Sequence, residues 1–123
     1  MAEKLLFTKN HEWILIEGKE AIVGLTEHAI NELGEIVYIE LPNTGNKYKQ
    51  EDEFGTIESV KTVSSLYLPL TGTICEVNEN AKLEPSLLNE SPYDDGWLVR
   101  IKDIDSKGLK TLLSSKAYKK LID

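Results

Sequence analysis

The run over 51–68 is the feature that most constrains the fold, because no proline interrupts it and small or apolar residues flank a single lysine. Val60, Thr62 and Val63 are β-branched and favour an extended backbone. The run is long enough for two strands joined by a tight turn. It predicts a β-hairpin with Lys61 exposed at the tip on a rigid support. Most exposed lysines are only solvated surface charges, so the turn alone does not make Lys61 functional.

Short alternating runs, separated by glycine, proline and asparagine, predict a chain made mainly of short strands. Outside the lysine hairpin, strands are expected at 13–16, 21–25, 35–41, from about 47, at 73–77 and at 97–101. Helices are expected at 27–33, where Thr26 can cap the start and Gly34 the end, at 81–88, and in the tail at about 105–123. Apolar spacing in the tail fits one broken helix or two short ones, the second capped by Ser114. This stripe is expected to close one end of the fold rather than to bind a partner.

A weak internal repeat lies on either side of the lysine hairpin. The pattern Gly-x-Ile-x-x-Ile at 34–39 returns as Gly-x-Ile-x-x-Val at 72–77. Two such halves related by a pseudo-twofold axis predict a mainly β fold, a flattened barrel-sandwich hybrid with short helices and a C-terminal helix. With 123 residues, the chain is expected to form one domain over 1–123.

Charge and composition exclude several classes of function. A net charge of −7 argues against nucleic-acid binding, since phosphate contacts need clustered Lys and Arg. The single cysteine, Cys75, cannot form an internal disulfide, which suits a reducing compartment. No apolar run is long enough to span a membrane, and the N-terminal residues lack the features of a signal or transit peptide. The sequence therefore predicts a cytoplasmic protein.

The patterns of catalytic chemistry are missing from the sequence. No nucleophile stands beside a base, no glycine-rich phosphate loop is present, and His11 and His28 have no further ligand at metal-binding spacing. We therefore expect neither an enzyme nor a metal site, but a protein that carries a covalently attached group. Lys61 is the natural attachment point. An amine attacks an activated acyl group only in its deprotonated form, so a modifying enzyme must supply the base.

Six short motifs, in order along nearly the whole chain, resemble the H-protein family of the glycine cleavage system, which are lipoyl carriers of the biotinyl/lipoyl domain family. Each motif is weak alone, but six in register are specific. They are His11-Glu12-Trp13, Gly24-Leu25-Thr26, Gly34-Glu35-Ile36-Val37, Glu40-Leu41-Pro42, Glu58-Ser59-Val60-Lys61 and Ser91-Pro92-Tyr93-x-x-Gly96-Trp97-Leu98.

Residues beside the lysine separate related carriers. Val60 and Thr62 flank Lys61 here, whereas biotin acceptors have methionine on both sides and the lipoyl domains of 2-oxoacid dehydrogenases typically have Asp-Lys-Ala. The resemblance implies lipoate in amide linkage to Lys61, attached by a lipoate-attaching enzyme. It also implies a monomeric, non-catalytic shuttle that takes the aminomethyl group of glycine from a pyridoxal-phosphate glycine decarboxylase to an aminomethyltransferase. Dihydrolipoyl dehydrogenase then reoxidises the dithiol.

Three further residues are candidate site residues. Glu58 is the nearest acidic residue before Lys61 and either helps the modifying enzyme to dock or is an ordinary solvated strand residue. The resemblance predicts that Glu12 holds the ammonium of the loaded arm, with Trp13 lining a groove for the lipoyl chain; the alternative is that Glu12 is an exposed strand residue. Ser65 stands where many family members have an acid, and Asn10 where many have serine, so some contacts of the arm are expected to differ.

Two other functions fit the sequence. An H-like protein can act as a relay from which lipoyl groups are transferred to 2-oxoacid dehydrogenases. The chain can also be an unmodified β-rich interaction module. Sequence does not separate these alternatives from the shuttle.

Overall fold

The computed structural model describes residues 4–123, which form two antiparallel sheets. The larger sheet has the strand order β1-β2-β3-β9-β8-β5 and the smaller one β4-β6-β7. Their bounds are β1 Lys4–Phe7, β2 Glu12–Glu17, β3 Glu20–Leu25, β4 Ile36–Glu40, β5 Lys47–Tyr48, β6 Glu53–Ser59, β7 Val63–Tyr67, β8 Gly72–Val77 and β9 Val99–Lys102. The predicted mainly β fold with short helices and a C-terminal helix is confirmed, and its strands form two antiparallel sheets.

One apolar core joins the two sheets. Ile14 and Ile101 come from the larger sheet and Ile57 and Leu66 from the smaller one, and all four are almost completely buried in a single cluster. Alternate residues of a strand point to opposite faces, so each sheet contributes one apolar face to this core. The lysine hairpin is thus anchored at its base by core packing.

The first helix, α1, spans Glu27–Leu33, as predicted from its two caps. The Thr26 hydroxyl accepts a hydrogen bond from the Ala29 N–H at 3.2 Å. Gly34 ends the helix with a φ of 88°, a conformation that L-residues with a side chain adopt only with strain.

The predicted helix over 81–88 is wrong in its extent. The structure has two short helices, α2 at Glu79–Leu83 and α3 at Leu87–Glu90. Pro85 lies between them and disfavours helical backbone at the preceding residue, Glu84, whose φ and ψ are −129° and 80°. Helix α2 begins before residue 81 because the Asn78 side chain accepts a hydrogen bond from the Ala81 N–H and caps it.

The tail forms two short helical elements, so of the two predicted alternatives, one broken helix or two short ones, the second is confirmed. A 3₁₀ helix spans Ser106–Thr111, and helix α4 spans Ser115–Ile122 with Ser114 as its cap. Tyr118 of α4 stacks on Phe7 with ring centroids 4.8 Å apart. The tail therefore packs against the larger sheet.

The two copies of the sequence repeat have the same irregularity in the structure. The pairing register of β4 with β6 shifts between Ile36 and Tyr38, and that of β8 with β9 shifts between Ile74 and Glu76. Both shifts fall at the same position of the repeat, and such bulges increase local strand twist. This supports the two related halves, although the two sheets differ in size.

Near the chain ends, the structure has one strand that was not predicted and one that begins later than predicted. Strand β1 was not predicted; it pairs with β2 from Lys4↔Ile16 to Phe7↔Trp13. The closing strand begins at Val99 instead of 97. The expectation about an N-terminal leader rests partly on residues 1–3, which lie outside the described range. Within residues 4–123, no helix combines the length and apolar character needed to cross a membrane.

Candidate functional site

Lys61 lies in the turn between β6 and β7. The last paired residues of the hairpin are Glu58 and Val63, and the Ser59 N–H donates to the Thr62 carbonyl at 2.8 Å. Lys61 is exposed and next to Val60, which retains 66% of its accessible surface. The lysine amine therefore stands in water at the tip of a closed, hydrogen-bonded turn.

Ser59 fixes this turn, a role that the sequence reasoning missed. Its side chain is buried, and its hydroxyl oxygen accepts hydrogen bonds from the N–H groups of Lys61 at 3.3 Å and Thr62 at 3.2 Å. The Val60 N–H donates to the Glu35 carbonyl at 3.0 Å, which ties the turn to the chain before β4. Serine hydroxyls are known to stabilise turns in this way, so a serine two residues before the lysine is the signal in the sequence.

Gly34 lies under the lysine side chain. A Cβ atom built at Gly34 would come within 3.6 Å of Lys61 Cε. The lysine side chain therefore crosses the C-terminal end of α1. Glu32 and Leu33, the two residues before Gly34, line a pocket described below.

Glu58 is exposed on β6, paired with Tyr38 on one side and Val63 on the other. Both neighbours are exposed as well, at 54% and 63%. The acidic group beside the lysine thus stands among exposed apolar and aromatic side chains. Its position fits either of the two roles considered for it, so docking by Glu58 stays a prediction.

Glu12 is buried, so the alternative that it is an exposed strand residue is wrong. Only 2% of its surface is accessible. The Thr8 hydroxyl donates to Oε1 at 3.1 Å, and the Tyr67 N–H donates to Oε2 at 3.0 Å. Tyr67 lies on β7, an edge strand whose outward N–H groups are free to bind a side chain. Glu12 therefore connects the larger sheet to the strand that follows Lys61.

Burial raises the pKa of Glu12 to about 7 because the charged form loses its hydration. The hydrogen bonds from Tyr67 and Thr8 favour the carboxylate and partly oppose this shift, whereas the charge of Glu51 adds to it. The side chain lines a cavity of about 210 Å³ together with Thr8, Asn10 and Glu51. A carboxyl group with so strongly raised a pKa that also lines a cavity is a candidate functional residue.

Trp13 does not line a groove, contrary to the prediction. It is 2% exposed and packs with Phe7 and Tyr118 in a second apolar cluster. Its Nε1–H donates to the Pro92 carbonyl at 3.0 Å, and Gly24 lies so close that any Cβ there would clash with the indole ring. Trp13 therefore anchors the loop before β9 to β2.

Ser65 lies on β7, half-buried, and lines a separate pocket of about 160 Å³. Asn10, His11 and Glu32 line the same pocket. Asn10 also lines the cavity of Glu12, so it lies between the two. The structure thus places Glu12 and Ser65 in neighbouring cavities rather than in one, and Asn10 is the residue that connects them.

Comparisons with known proteins agree over nearly the whole chain. The family model described as Glycine cleavage H-protein matches residues 5–123. A glycine cleavage system H protein from Halothermothrix orenii is 46% identical over 121 residues, which cover 98% of this chain and 94% of that protein. One from Staphylococcus epidermidis is 49% identical over 116 residues, covering 94% and 92%. The crystal structure of a glycine cleavage system H protein from Mycobacterium marinum aligns with a TM-score of 0.85 at 32% identity, covering 98% and 97% of the two chains.

Proposed function

Since the chain belongs to the glycine cleavage H-protein family, we propose that it is the lipoyl-carrying shuttle of the glycine cleavage system, with lipoate joined by an amide to Lys61. The observation that carries the assignment is the exposed amine at the tip of a turn closed by Ser59 and Thr62. Residues 1–123 act as one lipoyl-carrier domain, with the lysine hairpin as its attachment element.

The residues around Lys61 fit such a group. The amine is open to a modifying enzyme, and the lysine side chain packs beside Gly34, where a Cβ would lie 3.6 Å from Lys61 Cε. The turn presents the same geometry in every molecule, which is the substrate's contribution to an acylation whose base the enzyme provides. When bound, lipoate supplies the sulfur that accepts the aminomethyl group of glycine and passes it on.

The body of the protein contributes a place where the end of the arm rests. Glu12 offers a carboxylate held by Thr8 and Tyr67 in a 210 Å³ cavity, and Ser65 lines the neighbouring 160 Å³ pocket. A cation beside Glu12 lowers the pKa of that carboxyl and favours the charged form. Glu12 therefore binds the ammonium end of the loaded arm, with Ser65 and Asn10 as neutral neighbours, and shields it from water.

The chain itself is not a catalyst in this account. Its partners are glycine decarboxylase, aminomethyltransferase, dihydrolipoyl dehydrogenase and a lipoate-attaching enzyme, and it acts as a monomer in the cytoplasm. No observation on the described residues or in the comparisons favours the lipoyl-relay role or the unmodified interaction module.

The attachment is tested by expressing the Lys61→Arg variant in cells supplied with lipoate. Arginine keeps the charge but stays protonated and is not acylated, so intact-mass measurement should find no lipoyl adduct. Lys49→Arg, at an exposed site away from the hairpin tip, is the matched control and should be lipoylated like the unchanged protein. A lipoyl adduct on Lys61→Arg would refute the assignment, and an unmodified native chain would favour the interaction module.

The resting place of the arm is tested by the stability of the loaded protein. The Glu12→Gln variant should release ammonia faster than the native protein while its lipoylation is unaltered. Glu40→Gln, an exposed position on β4, is the control and should behave like the native protein. Equal release rates for Glu12→Gln and the native protein would show that Glu12 does not guard the loaded arm.

A further inference from the structure

His11, His28 and Glu32 come together on the surface between the start of β2 and α1. One ligand atom from each lies within 4.8 Å of the other two. The Nε2 atom of His28 is 3.5 Å from Oε1 of Glu32, and the rings of His11 and His28 have centroids 4.7 Å apart. The sequence analysis expected no metal site because only the two histidines were considered; Glu32, one helical turn after His28, completes the set.

Buried groups fix the orientation of His11. Its Nδ1 is 2.8 Å from the Tyr118 hydroxyl, which in turn is 2.7 Å from the Thr26 hydroxyl. Tyr118 and Thr26 are 5% and 0% exposed, so this chain of hydrogen bonds is held inside the protein. With Nδ1 engaged, Nε2 is the ring nitrogen left for a ligand. Histidines that bind metals are oriented in this way by a hydrogen bond to the other nitrogen.

We propose that His11, His28 and Glu32 form a binding site for one zinc ion. Two imidazoles and a carboxylate are a ligand set that zinc uses when one coordination position stays open. Two ligands of a tetrahedral zinc ion lie roughly 3.4 Å apart at ordinary Zn–N and Zn–O distances. The His28–Glu32 pair already has this spacing at 3.5 Å, and the ligand atom of His11 lies within 4.8 Å of both, so a small movement of the two α1 side chains toward the fixed His11 ring completes the set.

The surroundings leave space for the ion and for a water at the open position. The three ligands line a cavity of about 400 Å³, together with Lys9 and Ile122. Lys9 also lines this cavity and would repel a metal ion. The Glu32 carboxylate and the net charge of −7 oppose this repulsion. His11 and Glu32 also line the 160 Å³ pocket of Ser65, so a bound ion would lie in the wall shared by the two spaces.

Zinc titration of the untagged, full-length protein against a chromophoric chelator tests this site. We expect one zinc ion per chain, with zinc affinity reduced at least about tenfold in both His28→Gln and Glu32→Gln. Mutating a residue that only hydrogen-bonds to a metal ligand already lowers metal affinity by about that factor. Glu27→Gln, exposed on the same helix but outside the cluster, is the control and should bind as the native protein does. Thermal unfolding without metal checks that the variants fold.

Two results would overturn the proposal. One is the absence of saturable zinc binding to the folded native protein. The other is native affinity in both His28→Gln and Glu32→Gln, which would place the bound ion elsewhere. The Tyr118→Phe variant addresses the orientation of His11, and we expect zinc affinity to fall by about tenfold there. Unchanged affinity in this variant would remove Tyr118 from the site.

Discussion

The turn at Lys61 and the cavity at Glu12 differ in which part of the residue is held in place, the backbone or the side chain. Lys61 is exposed, and the turn that carries it is fixed through backbone groups bound by Ser59. Glu12 is almost completely buried, and its own side chain is held by Thr8 and Tyr67. In the first region the backbone is fixed and the functional group is free; in the second the functional group itself is fixed.

The difference shows where each piece of chemistry originates. At the turn, the amine keeps its hydration, so in the proposed lipoylation an outside enzyme supplies the base. In the cavity, burial shifts the pKa of Glu12 to about 7, so the protein itself sets the chemistry. An attachment point needs access, whereas a resting place for a reactive group needs a low-dielectric wall.

The largest expected effect is on the pH dependence of stability at Glu12. Its pKa is about 7 in the folded protein against an ordinary value of 4.5, so the folded state binds more protons than the unfolded state between these values. The free energy of unfolding of the native protein therefore falls as pH rises through this interval. In Glu12→Gln the side chain does not titrate, so this decrease is absent. The unfolding free energy of Glu12→Gln relative to native should rise by about 3 kcal/mol from below pH 4.5 to above pH 7.

Urea unfolding at a series of pH values measures this difference. Glu40→Gln is the control, because its carboxylate is exposed, and its difference from the native protein should stay small across the series. If the difference in unfolding free energy between Glu12→Gln and the native protein does not change with pH, burial does not raise the pKa of this carboxyl. The contrast between the two regions would then be wrong.

A smaller effect is expected at Ser59. Ser59→Ala removes the acceptor of two turn N–H groups, so the free energy of unfolding should fall by about 1 to 2 kcal/mol. A turn that is less well fixed presents the lysine less consistently, and the lipoylation rate should fall roughly tenfold. Ser64→Ala, at an exposed position on β7, is the control for stability. Native lipoylation kinetics in Ser59→Ala would show that turn rigidity does not matter.

The smallest effect is expected at Glu58. If this exposed carboxylate steers the modifying enzyme, Glu58→Lys should slow lipoylation about threefold at low salt without lowering the melting temperature, and added salt should reduce the difference. Glu53→Lys makes the same charge change at the far end of β6 and serves as the control. Equal rates for both variants at low salt would remove Glu58 from the docking surface.

Features encoded by local patterns were predictable. The lysine hairpin, the Thr26–Gly34 helix and the Ser114 cap each depend on residues close together in the sequence. The split of the 81–88 helix was also encoded locally, but the prediction continued one helix through Pro85, where the structure breaks it. Strand β1 was missed because its four residues show no alternation.

Features that depend on long-range contacts were not predictable. The buried carboxylate of Glu12 has its hydrogen bond from the N–H of Tyr67, which lies 55 residues later on an edge strand. His11 is oriented by Tyr118, 107 residues away, so no spacing rule connects it to a metal site. Trp13 was assigned to a groove because it stands beside Glu12; its actual hydrogen-bond partner, the Pro92 carbonyl, is 79 residues away and is not visible in any local pattern.

Peptide mapping of the native protein isolated from lipoate-supplied cells tests the central claim most directly. The account predicts a single lipoyl group, on the peptide that contains Lys61, with the other lysines unmodified. A lipoyl group on a different lysine, or a fully unmodified chain in cells that lipoylate their other acceptors, would contradict it.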